Sequence, residues 1–274
     1  MYKLVAMDLD GTLFNQAKKI SPANLAAIND LKARNINIVI ASGRTYNDIM
    51  ELVSQLDLEN YNKGYVIGYN GVIAAKTKPY QIIFKKTING YDVRRIAGLV
   101  ESFGFKMHVF CDNQILLSEH IERITKSDRD LIATAVTMPM TNYTGPDEVY
   151  KVLILDDDTK LNTFQSQIPK PFFADYTIVK SASTLLEFAH LDGSKGNALA
   201  KLAQHLHLKQ EEIMAFGDEE NDISMLQYAG LGIAMGNAKE SVKEKARVIT
   251  KSNIDDGVAI AIHKYIIGDE IHGF

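Results

Sequence analysis

Two aspartates separated by one residue, Asp8 and Asp10, with Gly11 directly after them, are the first place in this chain where chemistry could be done. On an extended backbone, residues two apart leave the same face, so the two carboxylates would stand side by side, and the glycine lets the chain turn and approach a ligand. Paired carboxylates repel, and a hard cation with oxygen ligands would relieve the repulsion. The same stretch also fits an ordinary strand-ending turn.

Three further clusters share this double character. Ser42-Gly43 offers a hydroxyl and a backbone N–H that suit phosphate oxygens, or it simply closes a turn. Lys195, within Asp192-Gly193-Ser194-Lys195-Gly196-Asn197, falls in the first turn of an expected helix. A cation is unfavourable there beside the macrodipole but well placed to meet a bound anion; otherwise it is a solvated lysine. Gly217-Asp218-Glu219-Glu220-Asn221-Asp222 holds more acids and amides than helix capping requires. Metal coordination, orientation of a neighbour and a phosphate contact from Asn221 would account for the surplus. By contrast, Asp156-Asp157-Asp158 is expected to cap a helix and face water. The histidines, at 108, 120, 190, 205, 207, 263 and 272, show no His-x-x-x-His pair and receive no catalytic role, though His108 could lie in a substrate cleft.

The elements that must position these clusters alternate. Residues 3–7 read as an apolar strand that runs into Asp8. Ser21 and Pro22 start a helix with Leu25, Ile28 and Leu31 at helical spacing, and residues 36–41 form a β-branched strand ending at Ser42. The last third repeats the pattern: helix 194–206, strand 213–216, helix 220–228, strand 231–234, a helix near 239–245, strand 247–249 and a helix from 255. Such alternation implies a Rossmann-like, doubly wound α/β parallel sheet whose strand ends share one crevice. Residues 83–185 differ, with four prolines and several short strand-like runs, and read as an inserted α+β domain. The expected division is a discontinuous core of residues 1–83 and 186–274 around an insert of 84–185.

Composition narrows the classes. With 274 residues, 46% hydrophobic and 23% charged, the chain is an ordinary globular sequence of two compact units or one large one. Its 30 basic and 34 acidic residues give a net charge of −4 with no basic run, which argues against nucleic acid as a partner. A single cysteine, Cys111, excludes an internal disulfide and a cysteine-based metal site. No export signal or membrane span is apparent, so a cytoplasmic protein is expected.

In order, the clusters resemble the haloacid dehalogenase superfamily of phosphohydrolases, in particular its Cof-type branch with a C2B-type cap inserted between the second and third motifs. The likeness runs from Asp8-Leu9-Asp10-Gly11-Thr12-Leu13 through Ala41-Ser42-Gly43-Arg44, Ser194-Lys195-Gly196 and the segment 217–226 to Ala234-Met235-Gly236-Asn237-Ala238 and Asp256-Gly257-Val258-Ala259. It covers nearly the whole core and the cap only in general pattern. The resemblance implies a Mg2+-dependent phosphatase for small phosphorylated metabolites of the sugar phosphate type. Asp8 would be the nucleophile of an aspartyl-phosphate mechanism and Asp10 its general acid and then base. The metal would be held by Asp8, the Asp10 carbonyl and Asp218, with Asp222 behind them. Leu9, Ser42, Gly43, Lys195 and Asn221 would bind the phosphate, and Asn70-Gly71 would border the cleft. Serine stands where relatives often have threonine in Ser42-Gly43-Arg44, and Asp192-Gly193 replaces a more usual Gly-Val, which puts the Lys195 loop in question. A phosphomutase with the same nucleophile, or a phosphate sensor without turnover, are the alternative readings.

Overall fold

The structure is a computed structural model that describes residues 1–112, 114–118 and 135–268. The expected His120 and His272 lie outside the described residues. The chain divides into two compact units, Met1–Phe84 with Ser194–Phe274, and Lys85–Gly193.

The first unit is built on eight strands: β1 (Leu4–Met7), β2 (Asn37–Ala41), β3 (Gly64–Gly68), β4 (Ile73–Lys76) and β5 (Gln81–Lys85), then β12 (Ile213–Gly217), β13 (Leu231–Ala234) and β14 (Val248–Ile249), numbered along the whole chain. They lie in the order β14-β13-β12-β1-β2-β3-β4-β5. The pairings from β14 to β3 are parallel, and β4 runs antiparallel to β3. β1 is flanked by β2 on one side and β12 on the other, so the strand order reverses at β1. In doubly wound sheets the ligand crevice opens beyond the carboxyl end of such a strand. Asp8 sits at that end.

Both faces of the sheet are covered, which is why its strands read as continuous apolar runs rather than alternating ones. Val5 and Met7 of β1 turn to one side, where they meet α1 (Pro22–Ala33), α2 (Tyr46–Gln55) and α9 (Gly257–Ile262) through Ile28, Leu52 and Val258. Leu4 and Ala6 turn to the other, toward α6 (Lys195–His205) and α7 (Ile223–Tyr228) through Leu199 and Met225. The short α8 (Glu240–Lys243) adds Val242 to this second layer. The helix expected over residues 220–228 is split into a 3-10 turn, Glu220–Asp222, and α7.

The second unit has its own core. Its strands β6 (Met107–Cys111), β7 (Ile115–Leu117), β8 (Val136–Thr137), β9 (Val149–Leu155), β10 (Tyr176–Ala182) and β11 (Leu185–His190) lie in the order β10-β11-β9-β6-β7-β8. All pairings are antiparallel except β7 with β8. α3 (Gly90–Ser102) and α4 (Asp158–Gln167) cover one face through Val93, Ile96, Leu161 and Phe164, and α5 (Lys170–Asp175) precedes β10. Asp157 caps α4 by accepting from the Lys160 N–H at 2.9 Å, as the Asp156–Asp158 run suggests. One boundary differs from the sequence expectation. Residues 186–193 belong to this unit and not to the core, because β11 hydrogen-bonds to β9 and β10. An apolar strand shows its burial in sequence but not its partner. No helix among the described residues is long and apolar enough to cross a membrane.

Candidate active site

All residues of the site lie in the first unit. β1 ends at Met7, and the chain leaves the strand with the Asp8 N–H donating to the Phe216 carbonyl at 3.1 Å, which ties Asp8 to the end of β12. The turn that follows is fastened by the N–H groups of Thr12 and Phe14 on the Leu9 carbonyl, while the Leu9 side chain enters the core. Gly11 holds φ +86°, a left-handed conformation that costs other residues dearly. It must also be small: a Cβ there would lie 2.1 Å from Oδ2 of Asp218. Asn237 donates from Nδ2 to the Gly11 carbonyl at 2.8 Å and closes the turn from the β13 side.

The two aspartates that begin this turn have different surroundings. Period two applies only while a strand continues, and β1 has already ended. Asp8 is buried at 7% exposure, whereas the Asp10 side chain is half exposed and clasped by Arg44, Nε to Oδ2 at 2.8 Å and a terminal nitrogen to Oδ1 at 2.7 Å. Asp8 is joined by acids from the end of β12. Carboxylate oxygens of Asp8, Asp218 and Asp222 lie within 4.8 Å of one another, and among the described residues this is the one such group able to hold a metal ion.

Lys195 enters this group fully buried, donating to Oδ1 of Asp8 at 2.5 Å and to Oδ1 of Asp222 at 2.6 Å. It is not a solvated lysine. The first turn of α6 brings it there: Ser194 caps the helix by accepting from the Asn197 N–H, and Gly71, at φ +103°, lets the backbone of Ser194 pass where a Cβ would sit 2.1 Å away. The Asp192-Gly193 departure therefore leaves the lysine's placement intact. Asp222 orders its surroundings. Its Oδ2 accepts from the N–H groups of Asp218 and Glu219 at 2.9 and 3.1 Å, so both its oxygens are engaged. Thr12, which the sequence reading passed over, donates to Oδ1 of Asp218 at 2.7 Å. Its only signal in sequence is a hydroxyl in the turn after Gly11.

Ser42 and Gly43 follow β2 on the other flank. The Ser42 hydroxyl accepts from the Arg44 N–H, and Gly43 faces Asn70 so closely that a Cβ would lie 2.8 Å from its Oδ1. Asn221 donates to the same Oδ1 at 2.8 Å. Asn70, Asn221, Ser42 and Gly43 thus meet at one corner beside the carboxylates. His108 is buried on β6 of the second unit.

The electrostatics are unbalanced. Burial above all, then the charge of Asp222, raises the Asp8 carboxyl well above its ordinary range despite Lys195. Burial and Asp222 likewise push Asp218 up to about 7, against the pull of Thr12 and Lys195. Burial disfavours the Lys195 ammonium, but the charges of Asp222 and Asp8 outweigh it and raise its pKa. Two like charges 4.8 Å apart cost about 3.5 kcal/mol at an effective dielectric near 20. One ammonium against three carboxylates leaves two negative charges, which one divalent cation would cancel. The all-oxygen donor set suits a hard cation such as Mg2+.

Comparison with known proteins decides the family. Residues 5–262 match the family model described as haloacid dehalogenase-like hydrolase. The chain belongs to the haloacid dehalogenase-like hydrolase family. M6_Spy0533 of Streptococcus pyogenes is 35% identical over 271 residues, covering 97% of this chain and 98% of that protein. The 5-amino-6-(5-phospho-D-ribitylamino)uracil phosphatase YcsE of Bacillus subtilis is 31% identical, covering 97% and 96%. Among solved structures, a haloacid dehalogenase-like hydrolase from Bacteroides thetaiotaomicron superposes with a TM-score of 0.80 at 29% identity over 96% of this chain and 99% of its own. The subclass IIB sugar phosphatase BT4131 gives 0.79 at 25% identity over 96% and 98%. The chain is accordingly a phosphatase of the haloacid dehalogenase type, with the mixed α/β fold of that family.

Proposed function

We propose that the protein is a Mg2+-dependent phosphatase of small phosphorylated metabolites, sugar phosphates among them, and that Asp8 is its nucleophile. The observation that carries this reading is the buried Lys195 fixed on Oδ1 of Asp8 inside a group of three carboxylates. The names of YcsE and BT4131 support the substrate class.

Lys195 orients the Asp8 carboxylate and offsets part of the charge that meets an incoming phosphate dianion. An Asp8 oxygen attacks phosphorus, the bond from phosphorus to the alcohol oxygen breaks, and that oxygen takes a proton from Asp10. The aspartyl-phosphate is then attacked by water, whose proton passes to Asp10 as phosphate leaves and Asp8 is restored. The Leu9 N–H, Ser42, Gly43 and Asn221 hold the phosphoryl oxygens, with Asn221 exchanging its bond to Asn70 for one to phosphate. Asp8, the Asp10 carbonyl and Asp218 would hold Mg2+, with Asp222 behind them fixing Lys195 and the 218–219 backbone. The bound cation supplies electrostatic stabilisation of the charge on the transferring group.

The test is release of inorganic phosphate from p-nitrophenyl phosphate and a panel of sugar phosphates with saturating Mg2+. Asp8→Asn should abolish turnover with the fold retained, and chelation should do so reversibly. Full activity of Asp8→Asn refutes the nucleophile, and isomerisation of a hexose phosphate without phosphate release makes the protein a mutase.

A further inference from the structure

The clasp between Arg44 and Asp10 is not accounted for by phosphate binding or by the carboxylate group. Arg44 presents two N–H groups to the two oxygens of Asp10 at 2.8 and 2.7 Å. The arginine is itself braced. Its guanidinium carbon lies 5.4 Å from the centre of the Phe14 ring, and its backbone N–H donates to the Ser42 hydroxyl at 3.2 Å. Burial works against its charge, but the hydrogen bonds and charge of Asp10 hold it firmly protonated. Asp10, in contrast, lies in the turn after β1, is half exposed and has Lys18 near it at 3.9 Å. A short exposed side chain of this kind would otherwise turn among its rotamers.

We infer that Arg44 is a positioning residue for proton transfer, holding Asp10 by a two-point contact in the orientation from which it serves the leaving oxygen. This rests on the reading of Asp10 as the acid and base. Two parallel N–H···O bonds fix a carboxylate in direction as well as distance, which a lysine at the same place cannot do. Proton transfer is steeply sensitive to placement, and an error of about 1 Å costs on the order of 10²-fold. The clasp also joins the residues after β1 to those after β2, so the acid is registered to the phosphate-binding corner at Ser42.

The consequence depends on the leaving group. An alkyl phosphate needs its oxygen protonated as the bond to phosphorus breaks, whereas p-nitrophenolate leaves without help. The experiment compares kcat/KM, which reports the step that forms the aspartyl-phosphate, for p-nitrophenyl phosphate and for an alkyl sugar phosphate that the wild type hydrolyses. Arg44→Gln and Arg44→Lys should each lose about 10²-fold on the sugar phosphate and less than about 5-fold on the aryl ester. Asp10→Asn should show the same selectivity, and the double variant Arg44→Gln/Asp10→Asn should match Asp10→Asn alone. Thermal unfolding of both Arg44 variants, with Arg44→Lys as the milder change, separates a folding defect from a catalytic one. Equal losses on both substrates, full retention by Arg44→Lys, or losses that add to those of Asp10→Asn would overturn the inference. If Asp10→Asn itself ignores the leaving group, the acid has been misassigned, a result distinct from failure of the clasp.

Discussion

Replacing Gly11 by alanine should disable the cation site without altering any carboxylate. At φ +86° an alanine costs about 1–2 kcal/mol in backbone strain. Its Cβ would sit 2.1 Å from Oδ2 and 2.8 Å from Oδ1 of Asp218, where ordinary contact begins at 3.4 Å. Asp218 cannot stay. It would leave the Thr12 hydroxyl, and a hydrogen bond to a charged group is worth about 1.5–3 kcal/mol. Together these predict a loss of about 3 kcal/mol and, at about 2–4 °C per kcal/mol for a domain of this size, a fall in Tm of about 10 °C. Because the displaced group is a proposed ligand, affinity for Mg2+ should fall at least about 10-fold, read by titration of Tm or by calorimetry. Gly98→Ala is the control, since an added Cβ in the middle of α3 meets nothing within 4 Å and should stabilise by about 0.5–1 kcal/mol. A Gly11→Ala protein with undiminished Mg2+ affinity would refute the reasoning, whatever its Tm.

Two further outcomes follow from buried charge. Asp218 is raised from an ordinary value near 3.8 to about 7 by burial and by Asp222, so in the cation-free protein its contribution to stability should be full below about pH 4 and lost as pH rises through 7. A divalent cation favours the ionised form, so a fixed Mg2+ concentration about 100 times the Kd at pH 8 should raise Tm by about 5–10 °C at pH 8 and by much less at pH 5; an equal or larger effect at pH 5 contradicts this. In the second unit, Lys151 and Glu187 form a buried pair at 2.9 Å, with Ser181 also donating to the glutamate. Lys151→Met should cost about 3–5 kcal/mol in thermal unfolding while Lys151→Met/Glu187→Leu recovers most of it, and a single-variant loss under about 1 kcal/mol would show the pair to be dispensable.

What the sequence discloses about this molecule follows from how far each effect reaches along the chain. The alternation of strands and helices is local, so the doubly wound core is legible, and with it the positions of Asp8, Ser42 and Asp218 at strand ends. Sheet membership is not local. β11 carries the apolar residues of a core strand, and only its pairing with β9 and β10 places it in the second unit. Thr12 shows the same limit at the site, since its partner Asp218 lies 206 residues away.

The different surroundings of Asp8 and Asp10 are the more instructive case, because a spacing of two carries its physical meaning only on a strand. Spacing of two gives a shared face only on a continuing strand, and β1 ends at Met7, before either acid; the glycine that permits a close approach of Asp218 belongs to the turn that follows. One short turn therefore sends its first carboxylate into a buried group with a lysine and its second toward the surface and an arginine. A buried, lysine-fixed carboxylate suits attack on phosphorus, and a half-exposed, arginine-held one suits exchange of protons with an alcohol and then with water. The separation of the two tasks is thus produced by the turn, which packs against Asp218 because Gly11 carries no Cβ and takes a left-handed backbone.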